Sequence, residues 1–136
     1  MYARQMLETQ PRKLAVDSNA LADCIEACYA CAQSCAACAD TCLGEREIGM
    51  LIRCIRLNQD CDDLCTITGA MLSRQSEPDW PLLRRQLEAC AMSCRICGDE
   101  CRRHGERHAH CRICAEACRA CEETCNHLIQ AIPATA

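Results

Sequence analysis

The 136-residue chain predicts an all-α fold, an antiparallel up-down-up-down four-helix bundle with a cysteine-lined core. Three observations carry this expectation. The 18 cysteines fall in four groups whose intervals alternate between three, four and seven. On a helix that spacing draws a single stripe, whereas on a strand the steps of three would send successive thiols to opposite faces. Turn signals separate the four groups and leave only short connections, which make successive helices antiparallel neighbours. Ordinary core material is scarce: Leu, Ile and Val total 22 residues and Phe is absent, so cysteine must fill the interior.

The elements follow in order. Residues 1–16, broken by Pro11, read as an arm or a short helix before a bundle spanning 17–132. The first bundle helix, about 18–43, is capped by the Asp17-Ser18-Asn19 cluster, ends at Gly44 and carries Cys24, Cys28, Cys31, Cys35, Cys38 and Cys42. The second, about 46–74, opens with acidic Glu45 and Glu47 and is sparser, with Cys54, Cys61 and Cys65. Asp79 and Pro81 mark the start of the third, about 80–104, which carries Cys90, Cys94, Cys97 and Cys101 and closes on Arg102, Arg103 and His104 before Gly105. The fourth, about 106–131, carries Cys111, Cys114, Cys118, Cys121 and Cys125 and stops before Pro133. Cys94-Arg95-Ile96-Cys97 recurs as Cys111-Arg112-Ile113-Cys114, a faint internal repeat that a shared packing problem also explains.

Threading these hairpins gives the bundle two unlike ends. Around Gly44 and Gly105 the thiol stripes run to the edge at Cys42, Cys54, Cys101 and Cys111, with His104, His108, His110 and Met50 beside them. At the other end the inward positions turn aliphatic, at Leu21, Leu72, Leu83, Leu87, Leu128 and Ile132. One end is expected to be open and the other plugged, with His127 an ordinary surface residue near the plug.

A cysteine four residues from another has its Cβ about 5–6 Å away, too far for a disulfide without breaking the helix. Such a pair can instead share a metal. Two-coordinate Cu(I), with bonds of about 2.2 Å, needs sulfurs only ~4.4 Å apart. Eight pairs have this spacing, Cys24/Cys28, Cys31/Cys35, Cys38/Cys42, Cys61/Cys65, Cys90/Cys94, Cys97/Cys101, Cys114/Cys118 and Cys121/Cys125, leaving Cys54 and Cys111 to join neighbouring sites. Zn²⁺ in Cys₄ sites would strand about two negative charges per ion inside the bundle, while one Cu(I) per thiolate leaves it neutral. Capacity is therefore expected near one Cu(I) per cysteine, with uptake at the histidine end. Iron–sulfur or zinc binding and thiol redox chemistry are the alternatives. Clusters, however, favour loops that wrap them, and a redox site needs one or two exposed reactive thiols rather than stripes.

A formal charge of −4, a pI near 5.5 and three aromatic residues give nucleic acid little to bind. No apolar run in residues 1–14 reads as a secretory signal or membrane span, so the expected setting is cytoplasmic, where thiols stay reduced. No phosphate loop, nucleophile elbow or acid–base pair supports an enzyme.

With Cys-x-x-x-Cys pairs on all four helices and histidines at one mouth, residues 18–131 resemble the four-helix-bundle copper storage proteins, specifically the cytosolic members. The resemblance implies many Cu(I) ions in a thiolate-lined core and assembly as a homotetramer. The second helix departs from a full stripe, with Leu57, Asn58, Thr68 and Leu72 where further thiols would stand.

Overall fold

The computed structural model describes residues 1–133. A short helix α1 (Ala3–Glu8) precedes four long ones, α2 (Ser18–Leu43), α3 (Ile52–Leu72), α4 (Trp80–Arg103) and α5 (Ala109–Ala131). No strand occurs among the described residues. Each long helix packs against its two neighbours in the cyclic order α2, α3, α4, α5, and across the α3/α5 diagonal only side chains meet, as where Cys65 lies 3.9 Å from Cys121. Sulfur contacts give the direction of the chains: Cys24 near the start of α2 meets Cys125 near the end of α5, and Cys38 late in α2 meets Cys111 early in α5. Cys54 and Cys65 of α3 meet Cys101 and Cys90 of α4 in the same antiparallel sense. The molecule is a four-helix bundle with a cysteine-rich core.

Local chemistry sets the helix starts. The Asp17 carboxylate accepts from the Ala20 amide at 2.9 Å, and Asp79 accepts from that of Leu82 at 3.0 Å, with Pro81 in the same first turn. Each cap satisfies an amide that the helix itself cannot. The other two starts differ from the sequence expectation. Rather than opening at residue 46, the second bundle helix is preceded by a 3-10 turn over Ile48–Leu51, and α3 begins at Ile52. Glu45 and Glu47 lie in the connecting turn and reach across to His108 and Arg107 instead of lining a first helical turn. The fourth starts at Ala109 rather than at 106, because residues 104–107 form a tight turn and His108, extended at φ −132°, holds the cap position.

Close approach explains two glycines. A Cβ on Gly98 would stand 3.2 Å from that of Cys118, so its absence lets α4 and α5 press together beside the sulfurs. A Cβ on Gly69 would meet the Tyr29 ring at 2.8 Å. Gly44 does end α2, but at φ −86°, and no described glycine has a positive φ, so the left-handed cap common after helices is not used.

At the end of the bundle holding the 73–79 connection, Leu21, Leu72, Leu87 and Leu128 are completely buried, and Leu83, Trp80 and Ile132 nearly so. α1 lies against α2 at this end, with Leu7 and Val16 buried, Arg4 bonded to Asn19 and Asp23, and Arg12 donating to the Ser76 carbonyl at 3.0 Å. Truncating a buried leucine costs about 2–5 kcal/mol. Leu87→Ala should therefore lower the urea midpoint of the metal-free protein markedly. Leu82→Ala, at a side chain 57% exposed, should change stability by less than about 0.5 kcal/mol. Equal effects of the two would contradict the plug.

Candidate metal centre

All 18 cysteines are free thiols, and none is more than 1% exposed. Their stripes mesh across helices more than along them. Cys31/Cys35, Cys61/Cys65 and Cys97/Cys101 touch at 3.8–4.0 Å within one helix. Cys31 also lies 3.7 Å from Cys118 and 3.9 Å from Cys61, while Cys65 lies within 3.9 Å of Cys90, Cys94 and Cys121. The units that emerge include four-sulfur groups drawn from three or four helices, with all sulfurs within 4.8 Å of one another. From the plugged end they include Cys28, Cys90, Cys121 and Cys125, then Cys31, Cys65, Cys94 and Cys121, then Cys35, Cys97, Cys114 and Cys118. Cys38, Cys42, Cys54 and Cys111 form the group nearest the open end. The inner groups share Cys31, Cys35, Cys118 and Cys121, and the group of Cys38, Cys42, Cys54 and Cys111 joins them through Cys101, 3.7 Å from Cys54 and 4.0 Å from Cys97, so the sulfurs form a column able to hold adjacent soft cations with bridging thiolates.

In this dry interior the main partner of a thiolate is another thiol. Hydrogen bonds from Cys125 and then Cys28 pull Cys24 down to about 5. Cys61 is likewise lowered, chiefly by Cys118 and Cys31, while Cys28 is raised, chiefly through Cys121 and Cys125. Near the open end burial pushes Cys42 up to about 12. Some sulfurs are thus held toward the thiolate, accepting from neighbours that keep the proton.

Asn58 takes an inward position on α3 and is fully buried among sulfurs. Its amide nitrogen donates to the Cys54 carbonyl at 2.8 Å, which turns Oδ1 toward Cys97 at 3.3 Å and Cys114 at 3.0 Å. Thr68 and Leu72 also face inward without exposure, whereas Leu57 is only partly buried. Asn58 is visible in the sequence as an interruption of the heptad stripe, but its polar contact with four thiols is not.

Three of the four histidines gather at the end opposite the aliphatic plug. His110 Nδ1 lies 3.4 Å from the Cys38 sulfur and 3.6 Å from that of Cys111, and its buried Nε2 has no partner among the described residues. The His108 ring lies 5.4 Å from that of His110, and His108 Nδ1 contacts the Glu45 carboxylate. His104 Nε2 lies 3.0 Å from Glu100, whose carboxylate is nearly buried and also pairs with Arg103 at 2.9 Å. Met50 is exposed on the 3-10 turn, and His127 is exposed near the plug. Neither Glu45 nor Glu100 stands out in the sequence, since an acidic residue beside a helix end reads as an ordinary dipole partner.

The family model for copper storage proteins matches residues 17–130. The chain belongs to the copper storage protein family. Ccsp of Streptomyces lividans, in a structure loaded with 10 copper equivalents, is 50% identical, and the match covers 96% of this chain and 99% of that one with a TM-score of 0.94. A second structure of that protein, described as cytosolic and holding five coppers, is 51% identical over 85% of this chain and 96% of its own, with a TM-score of 0.83. Copper storage protein 3 of Bacillus subtilis, without metal, is 37% identical over 78% of this chain and 95% of its own, with a TM-score of 0.69.

Complete burial predicts that the metal-free, folded member described here reacts slowly with an aromatic disulfide reagent under anaerobic conditions. All 18 thiols should titrate promptly once guanidinium unfolds it. Rapid reaction of most thiols in the folded protein would show that the column is open along its sides.

Proposed function

We propose that this chain stores copper by taking up Cu(I) at the histidine end and holding it along the full column of thiolates. The observation that carries this reading is the run of overlapping four-sulfur groups along the bundle, joined to the group at the histidine end through Cys54, Cys101 and Cys97. A chaperone passing one ion at a time needs a single exposed pair, and a structural metal site needs four ligands. Here 18 buried thiols stand together in one core. Relatives at up to about half identity are described as copper-loaded, which supports the same cargo for this chain.

In this reading the ligands are the cysteines at positions 24, 28, 31, 35, 38, 42, 54, 61, 65, 90, 94, 97, 101, 111, 114, 118, 121 and 125, with His104, His108 and His110 at the mouth. Each univalent ion replaces one thiol proton, so filling keeps the interior close to neutral and releases about one proton per ion. Divalent ions at the same sulfurs would leave excess thiolate charge in a dry core. The bundle interior is committed to sulfur, which supports sequestration rather than catalysis.

The setting we propose is cytoplasmic, in line with the reduced thiols and with the cytosolic description of the Streptomyces relative. No helix among the described residues is long and apolar enough to cross a membrane. Assembly as a homotetramer follows from the family resemblance, and exposed Ile67, Met92 and Ile113 offer apolar contact area for it.

Anaerobic titration of the reduced protein with Cu(I) against a competing chromophoric chelator should break at about one ion per cysteine, roughly 18 per chain. A break at one to three ions would leave a carrier or regulator instead. Replacing His108 and His110 by alanine should slow loading while leaving the final copper content nearly unchanged. A lower content with an unaltered rate would move these residues from the mouth to the store.

A further inference from the structure

Two carboxylates stand directly behind two of the mouth histidines, and they hold opposite ring nitrogens. Glu45, from the turn between α2 and α3, contacts His108 at Nδ1. Glu100, on the last turns of α4, lies 3.0 Å from His104 at Nε2. A neutral imidazole carries one proton, and the nitrogen that donates it to a carboxylate leaves the other with its lone pair free. Glu45 thereby selects the Nδ1–H form of His108 and frees Nε2, while Glu100 selects the Nε2–H form of His104 and frees Nδ1. Glu100 is itself fixed by Arg103 at 2.9 Å and Arg53 at 3.9 Å, so its position does not depend on the histidine alone.

The positions of these groups argue against incidental surface pairing. Both imidazoles are mostly buried, at 14% and 16% exposure, and the His108 ring adjoins that of His110, which touches the sulfurs of Cys38 and Cys111. His108 also occupies the cap position of α5 without making a side-chain cap bond, where Ser, Thr, Asp or Asn would stabilise the helix. The ring is turned to Glu45 at the expense of that cap.

From this geometry we infer that Glu45 and Glu100 are positioning residues for copper uptake, each fixing the tautomer and orientation of one mouth histidine so that a lone pair is available to the incoming ion. The inference rests on uptake at the histidine end, and carboxylate partners of this kind hold metal-binding histidines in many proteins.

The test separates ring positioning from mere tethering of the two loops. Long-range ¹H–¹⁵N correlation spectra of the full-length metal-free protein, at a pH of about 8.5 where imidazoles are neutral, report the tautomer of each histidine without any copper. His108 should be Nδ1–H and His104 Nε2–H in the parent protein. Glu45→Ala should return His108 to a mixture and slow the first phase of Cu(I) loading roughly ten-fold, the lower end of what loss of such a partner costs. Glu45→Gln keeps an oxygen acceptor and should preserve both. Glu47→Ala removes a 3.8 Å pair with Arg107 that bridges the same two loops without touching a histidine, and should change neither. Glu100→Ala should shift His104 alone; Glu100→Gln, which keeps an acceptor between the arginines, should leave it in place if the bundle does not tolerate the alanine. An unchanged His108 tautomer in Glu45→Ala, or loading of Glu45→Gln as slow as that of Glu45→Ala, would overturn the inference. If the parent protein took up no copper, the storage reading would fall while the tautomer result still decided the geometry.

Discussion

A thiol behaves as a small apolar group while protonated and as a soft anionic ligand once the proton leaves, and this bundle is built on that double character. The interior must be stable in two chemical states with one backbone. When empty, the sulfurs pack at 3.7–4.0 Å and hydrogen-bond to one another, each thiol serving as its neighbour's polar partner. When filled by univalent ions, each departing proton is replaced by one positive charge and neutrality is preserved. Leucine in the same positions would give a better core, since burial of such a side chain is worth about 1.5–3 kcal/mol, but would hold nothing.

The division of labour between the ends follows from the same constraint. A core filled with cysteine has fewer large apolar side chains to hold it, and the aliphatic residues concentrate where no ion needs to pass, at Leu21, Leu72, Leu87 and Leu128. Both helices that start at this end, α2 and α4, have an aspartate cap with its hydrogen bond in place. Those that start at the histidine end, α3 and α5, have Leu51 and His108 at their cap positions and no side-chain cap bond. Stabilising chemistry is thus gathered at the plug, while the opposite end carries histidines and their carboxylate partners.

How much of this was legible in the sequence depends on the distance over which each signal acts. The alternation of three and four along Cys24 to Cys42 is a property of one helix, so the stripes, the bundle and the unlike ends could all be read from spacing. The start of α3 differs from the expectation because Glu45 and Glu47 suit a helix start, while their competing partners, His108 and Arg107, lie more than fifty residues away in sequence. Periodicity also gives faces without axial register. Eight pairs along single helices were the units the spacing offered, whereas the groups that formed join sulfurs such as Cys31, Cys61 and Cys118 from three helices. The close approach that brings α5 against α4 rests on Gly98, whose role appears only when Cys118 is seen beside it.

That register also determines where the column is weakest. Inward from Cys114 the sulfurs touch without interruption, through Cys35, Cys118, Cys31, Cys61, Cys94, Cys65, Cys121 and Cys28. Toward the mouth, Cys54 and Cys101 meet the inner sulfurs only by way of Cys97, 4.0 Å from Cys101, and Asn58 stands between them and Cys114, bonded on one side to the Cys54 carbonyl and facing Cys97 and Cys114 on the other. A leucine at this position would present only hydrocarbon to the adjoining sulfurs, and an aspartate would add a buried negative charge. The neutral amide does neither: with its nitrogen anchored on α3, it turns a carbonyl oxygen toward the inner thiols and keeps the junction polar. The interruption of the α3 stripe is therefore a different kind of donor placed where the mouth group meets the deeper store, rather than a missing cysteine.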